Sequence, residues 1–272
     1  MKKVISTSLA ILMTVAFFVP LALSELKPVA GLTLFGGAER GTDDHAGAMG
    51  GSELFGLYPL SQSWGVQGSL SNQGGIGGYR LGVSAGPVFD YNSGKAGLFG
   101  DYVHRNRGDN NFFYLRGVWS HYFDNFDLVL SYSQPLHSVQ RTPTKVIVVQ
   151  CVLTVLKVNA RDPSINELKG VVRYYPSEKV ELNAGLLVNS FAGPDRDKTG
   201  TGFGGVFGVA FQVLDNLIIR PVQGQMDTRE RYRITSGVEF VWSPLQQSQR
   251  SHAGLKDSSF SVASASGANT CP

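Results

Sequence analysis

The chain has 272 residues, of which 42% are hydrophobic, 11% aromatic and 17% charged, with 33 glycines. Its 24 lysines and arginines face 21 acids and form no basic cluster, which argues against a nucleic-acid partner. Two cysteines, Cys151 and Cys271, are too few for a disulfide framework.

The first residues read as a secretory signal. Lys2 and Lys3 form a basic start, Leu9 to Phe18 an apolar run, and Ala22-Leu23-Ser24 a small-residue cleavage site. The apolar run falls short of the roughly 20 residues a helical bilayer span needs. Cleavage after Ser24 would remove residues 1–24, with two of the 24 basic residues and none of the 21 acids. The remaining chain would be near neutral. It holds no further helical span, so residues 25–243 read as one all-β unit.

Apolar and polar residues then alternate with a period of two, the signature of strands. Leu32 and Leu34 oppose Thr33 and Phe35. Ser52 to Leu60 is a weaker run whose facing the pattern does not fix. Trp64, Val66 and Leu70 oppose Gln67, Ser69 and Ser71. Tyr79, Leu81, Val83 and Phe89 oppose Arg80, Ser84, Val88 and Asp90. Leu98 and Tyr102 oppose Asp101 and Arg105.

The clearest hairpin runs from Asn111 to Gln134. Phe113, Leu115 and Trp119 oppose Tyr114, Arg116 and Val118. After the turn residues Asp124-Asn125, Phe126, Leu128 and Leu130 oppose Asp127, Val129 and Ser131. Four further runs follow at Leu168 to Tyr175, Val180 to Asn189, Phe203 to Val213 and Arg231 to Trp242. Between the last two, Leu217 to Gly224 is broken by Pro221, which cannot donate to a ladder. The total is about twelve strands, mostly near the 9–11 residues of a tilted membrane strand.

The connections alternate in kind. Ser61 to Ser63, Asn92 to Gly94, Asp124-Asn125, Ser177 to Lys179 and Asp215-Asn216 are tight. Gly41 to Gly50, Gln73 to Gly78, Asn106 to Asn110, Leu136 to Asn166 and Ser190 to Gly202 are longer and polar, with Asp227 to Glu230 their short member. Short turns on one rim and long loops on the other suit a transmembrane barrel, periplasmic turns below and extracellular loops above. A strand edge in hydrocarbon leaves backbone groups unpaired, so the sheet must close.

On these runs the chain resembles a bacterial outer-membrane β-barrel of the porin-like kind over Val29 to Trp242. Its last strand, ending Val238-Glu239-Phe240-Val241-Trp242, resembles the terminal strand read by the barrel-insertion machinery, although the polar tail 244–272 follows it. The resemblance implies an all-β closed antiparallel barrel in the outer membrane of a Gram-negative cell, surrounded by its lipid. It implies passive passage of small polar solutes, and a monomer is favoured. A surface-interaction or adhesion barrel working through its loops is the alternative; an outer-membrane lipid hydrolase ranks last.

The candidate lumen-lining residues are the charges opposite the apolar stripe: Arg80, Asp101, Arg105, Arg116, Asp127, Lys169, Arg173, Glu181, Arg231, Arg233 and Glu239. They would line a conduit with a mixed field or fill a closed interior with ion pairs. His45, His104, His121, His137 and His252 are scattered without metal-ligand spacing and read as rim residues. Ser120-His121 and His137-Ser138 are adjacent, so each pair points to opposite faces. No catalytic, cofactor-binding or metal-binding residue is assigned. Gly74-Gly75-Ile76-Gly77-Gly78 precedes no helix and reads as a loop rather than a phosphate cradle. The apolar Lys145 to Val158, inside the long loop 136–166, reads as a hairpin above the membrane or a segment folded into the lumen.

Overall fold

The computed structural model describes residue 26 and residues 28–40, 46–75, 78–91, 93–105, 110–140, 144–149, 152–157, 164–192, 199–227 and 233–242. The expected signal segment, the tail after Pro244, Arg231 and both cysteines lie outside the described residues.

Strands account for nearly all of this. In chain order they are β1 (Val29–Arg40), β2 (Ala46–Pro59), β3 (Trp64–Gly75), β4 (Gly78–Asp90), β5 (Gly94–Arg105), β6 (Asn110–Tyr122) and β7 (Phe126–Gln140). After these come β8 (Thr144–Val149), β9 (Val152–Lys157), β10 (Ser164–Ser177), β11 (Val180–Ala192), β12 (Thr199–Leu214), β13 (Leu217–Asp227) and β14 (Arg233–Trp242). All but β8 and β9 join one closed antiparallel barrel of twelve strands. The seam is β1 on β14, with Leu32 opposite Trp242 and Arg40 opposite Ile234. Closure removes the exposed edge that would be costly in hydrocarbon.

The period-two pattern sets the facing. Along β7, Asp127, Val129 and Ser131 are buried, while Leu128 and Leu130 are only half-buried. The ladder opposite β6 puts Tyr122 against Asp127 and Trp119 against Leu130, which pins the register at the 123–125 turn. Pro221 breaks the ladder as its chemistry demands: β13 steps from Arg220↔Glu239 to Gln223↔Gly237, an extra residue on the bulged strand. Outward side chains stay exposed and apolar all round, among them Leu34, Leu54, Val83, Leu186, Phe203 and Phe240. A belt of that extent has no stable place in water; it fits a barrel whose outer wall meets lipid.

One sequence expectation changes, and one pair of alternatives narrows. The strands run past their apolar stretches, so the polar connections shrink. Gln73 to Gly78 is not a loop: the β3–β4 ladder continues to Gly75↔Gly78. Beyond the apolar belt the outward face needs no apolar residue, and alternation stops marking the strand. Lys145 to Val158 takes the hairpin form, β8 pairing β9 from Thr144↔Lys157 to Val149↔Val152, as a sheet of its own.

Candidate functional site in the barrel interior

The inward faces converge on the barrel axis, and charge is concentrated there. Arg80, Asp101, Arg116, Asp127, Lys169, Arg173 and Glu181 are all buried. Of Arg105, Arg233 and Glu239 only the backbone register is described: they lie opposite Arg80, Asp227 and Arg220 respectively. The interior also buries Glu53, Asp90, Glu167 and Arg220. Sequence reasoning missed Glu53 because the facing of its run was ambiguous, and Glu167 because the strand was expected to start one residue later. Arg220 was obscured by the break at Pro221.

The best-defined unit sits on three consecutive strands. Arg116 on β6 donates from Nε to Asp101 Oδ2 at 2.7 Å and from Nη2 to Asp101 Oδ1 at 3.1 Å. The same Nη2 donates to Ser84 Oγ at 3.1 Å, and the guanidinium carbon lies 4.9 Å from the Phe99 ring centroid. This two-pronged pairing matches a planar guanidinium to a carboxylate. The register explains it: Arg116 stands opposite Phe99, two residues before Asp101 on the same inward face of β5.

A second polar zone lies toward the tight turns. Lys95 Nζ is 3.8 Å from Asp90 Oδ2. Arg173 stands directly opposite Asp127 in the β10–β7 ladder. Tyr175 donates its hydroxyl to Asp127 Oδ2 at 2.9 Å, and Asn183 donates to Glu181 Oε1 at 3.1 Å. Toward the other rim, Lys169 stands opposite Ser131 and Glu167 opposite Asn189. Asn189 is fully buried, and neither of its amide atoms has a hydrogen-bond partner.

Between these zones runs a layer that carries no charge. One cluster joins Leu26, Leu57, Val88, Phe99, Val118 and Val129, with Val29 and Val171 against it. A second joins Phe55, Ala210, Ile218 and Val241, and Val29 packs against this one too. Val88, Val118, Val129 and Val171 belong to the wet face of the sequence pattern. Their apolarity is the signal that could have revealed the layer.

The outer wall near the tight turns is aromatic. Trp64 and Phe89 rings are 4.8 Å apart, Phe123 and Phe126 4.3 Å, and His121 lies 5.7 Å from Trp119 and 4.7 Å from Phe123. Amphipathic rings favour a membrane–water boundary. His104 Nδ1 is 2.8 Å from Asn111 Oδ1, an acceptor shared with the Tyr102 hydroxyl. His121 Nδ1 is buried without a hydrogen-bond partner. No group of three metal-ligating side chains occurs among the described residues.

No family model matches the chain, and no curated protein does. Solved structures do share its architecture. The NanC porin is 10% identical, over 79% of this chain and 100% of its own, with a TM-score of 0.54. An outer membrane channel from Pseudomonas putida F1 is 11% identical, over 82% and 98%, at 0.57. The CymD monoaromatic hydrocarbon channel is 11% identical, over 80% and 89%, at 0.50. At these identities the likeness is one of fold: a closed antiparallel barrel of the outer-membrane kind.

Proposed function

We propose that this protein is an outer-membrane channel through which small hydrophilic solutes pass passively, with its tight turns on the periplasmic side. The observation that carries the reading is the segregation of charge. Arg80, Asp101, Arg116, Asp127, Lys169, Arg173 and Glu181 are all buried inside a barrel whose outer wall is apolar. A barrel built only as a membrane anchor gains nothing from so many interior charges, each costly to desolvate. A conduit gains a wall that exchanges hydrogen bonds with a passing polar solute. Buried acids and bases are nearly balanced, so selection works by size and local field rather than by one sign of charge. The similarity in fold to proteins described as porins and channels supports the same reading.

The test is current through a planar bilayer after the refolded protein is added. Discrete conductance steps are expected, and Arg116→Glu, together with Asp101→Arg to preserve the pair, should shift the cation-to-anion permeability ratio. Protein that is inserted in the bilayer but never produces a step refutes the channel.

A further inference from the structure

The interior is layered, and the layering has one component that is not part of the barrel wall. On five strands in succession around the wall, a single apolar side chain separates two polar ones. On β4 Val88 lies between Asp90 and Ser84, and on β5 Phe99 lies between Lys95 and Asp101. On β6 Val118 lies between Ser120 and Arg116, on β7 Val129 between Asp127 and Ser131, and on β10 Val171 between Arg173 and Lys169. Leu57, Phe55, Val29, Val241, Ile218 and Ala210 continue the layer over β2, β1, β14, β13 and β12, whereas β11 adds no apolar side chain to it, with Gly185 opposite Val171 and the buried Glu181 opposite Ala210. All of these residues lie in the turn-side half of their strands.

Strand β3 contributes no apolar side chain there, because its buried inward residue near the turn is Gly65. That place is taken by Leu26, which precedes β1. A Cβ built on Gly65 would lie 2.7 Å from Leu26 Cδ2. Leu26 is 5% exposed, packs in the cluster with Leu57, Val88, Phe99, Val118 and Val129, and donates its backbone N–H to Gln62 O at 2.7 Å. The β2–β3 turn therefore anchors Leu26, and Gly65 makes the room for its side chain.

We infer that Leu26 is a stopper: it fills the β3 position of an apolar layer that hinders ions and polar solutes from crossing the turn-side half of the barrel, and full conduction requires it to leave. The inference rests on the channel reading. An apolar constriction gates by shedding water, since an ion or polar solute crossing it must give up hydration with nothing in return. Leu26 is the one described member of the layer held outside the barrel ladder, so it is the member that can leave without opening a strand.

The experiment compares single-channel records of the wild-type protein, Leu26→Ser and the conservative Leu26→Met in planar bilayers with potassium chloride on both sides. Neither substitution touches a barrel strand. Wild type and Leu26→Met should stay mostly at the closed level with brief steps, and Leu26→Ser should raise the open fraction severalfold. Steps with the same open fraction in all three overturn the stopper and leave the channel standing. Silence in all three overturns both.

Discussion

Leu186 offers the sharpest test of which side of the sheet meets lipid. It is the seventh of the 13 residues of β11 and is 75% exposed. Six residues at about 3.3 Å each, on a strand tilted by about 40°, raise it about 15 Å above the turn rim. The whole strand then spans about 30 Å of height, and an apolar band about 25 Å tall centred on it has Leu186 near its middle. An arginine at midplane costs about 2–4 kcal/mol. That is a drop of about thirtyfold to a thousandfold in the ratio of folded to unfolded protein. Leu186→Phe keeps an apolar group in lipid and should be close to neutral. The assay is a urea titration of both variants in lipid vesicles, read as the folded fraction. The exposure makes the result decisive: at a site facing water, Leu186→Arg would cost almost nothing. Equal midpoints for wild type and Leu186→Arg therefore refute a lipid-facing outer wall. A spin label at this position relaxed strongly by oxygen would give the same answer independently.

Asp101→Ala leaves the buried Arg116 guanidinium without its two-pronged partner and should cost about 3–5 kcal/mol in the same titration; adding Arg116→Met should restore most of it. An even strand count brings Val29 and Trp242 out on the tight-turn rim, so protease added to intact cells should spare the chain after Pro244, and surface cleavage there would overturn the orientation. The same orientation would put the long loop 136–166 and the tail 244–272 on opposite sides of the membrane, and a disulfide between Cys151 and Cys271 would need Cα atoms under about 7 Å apart. Peptide mapping of the non-reduced monomer should find them unlinked.

Strand facing was legible because lipid imposes a strict rule on alternate residues, and the twelve-strand count followed from it. The rule is silent beyond the belt, which is why the ladder between Gly75 and Gly78 was invisible. The charges on regular strands could be placed from alternation alone, and Arg116 and Asp127 are examples. What they pair with could not, because pairing depends on register across strands: Asp101 meets Arg116 diagonally, and Tyr175 reaches Asp127 from a strand 48 residues away. The apolar layer escaped notice for a different reason. An inward valine violates no rule and looks like an imperfect polar face until its neighbours on other strands are known. Leu26 carried no signal, since nothing in one dimension says that Gly65 leaves a gap for it.

The seam between β1 and β14 also sets the order of assembly. Leu32 must find Trp242, and closing a loop of that length costs about 2 kcal/mol more than closing a hairpin one-tenth as long. Every other barrel pairing joins strands that are nearer in sequence, so the seam is the contact of highest order and the last to reward the chain for forming it. Until β14 arrives, β1 and β13 remain two bare edges, able to pair with any other extended chain. A ribosome that stops before Arg233 thus releases a sheet that lacks its antiparallel closing strand. The final ten residues of the barrel decide between a membrane protein and an aggregate.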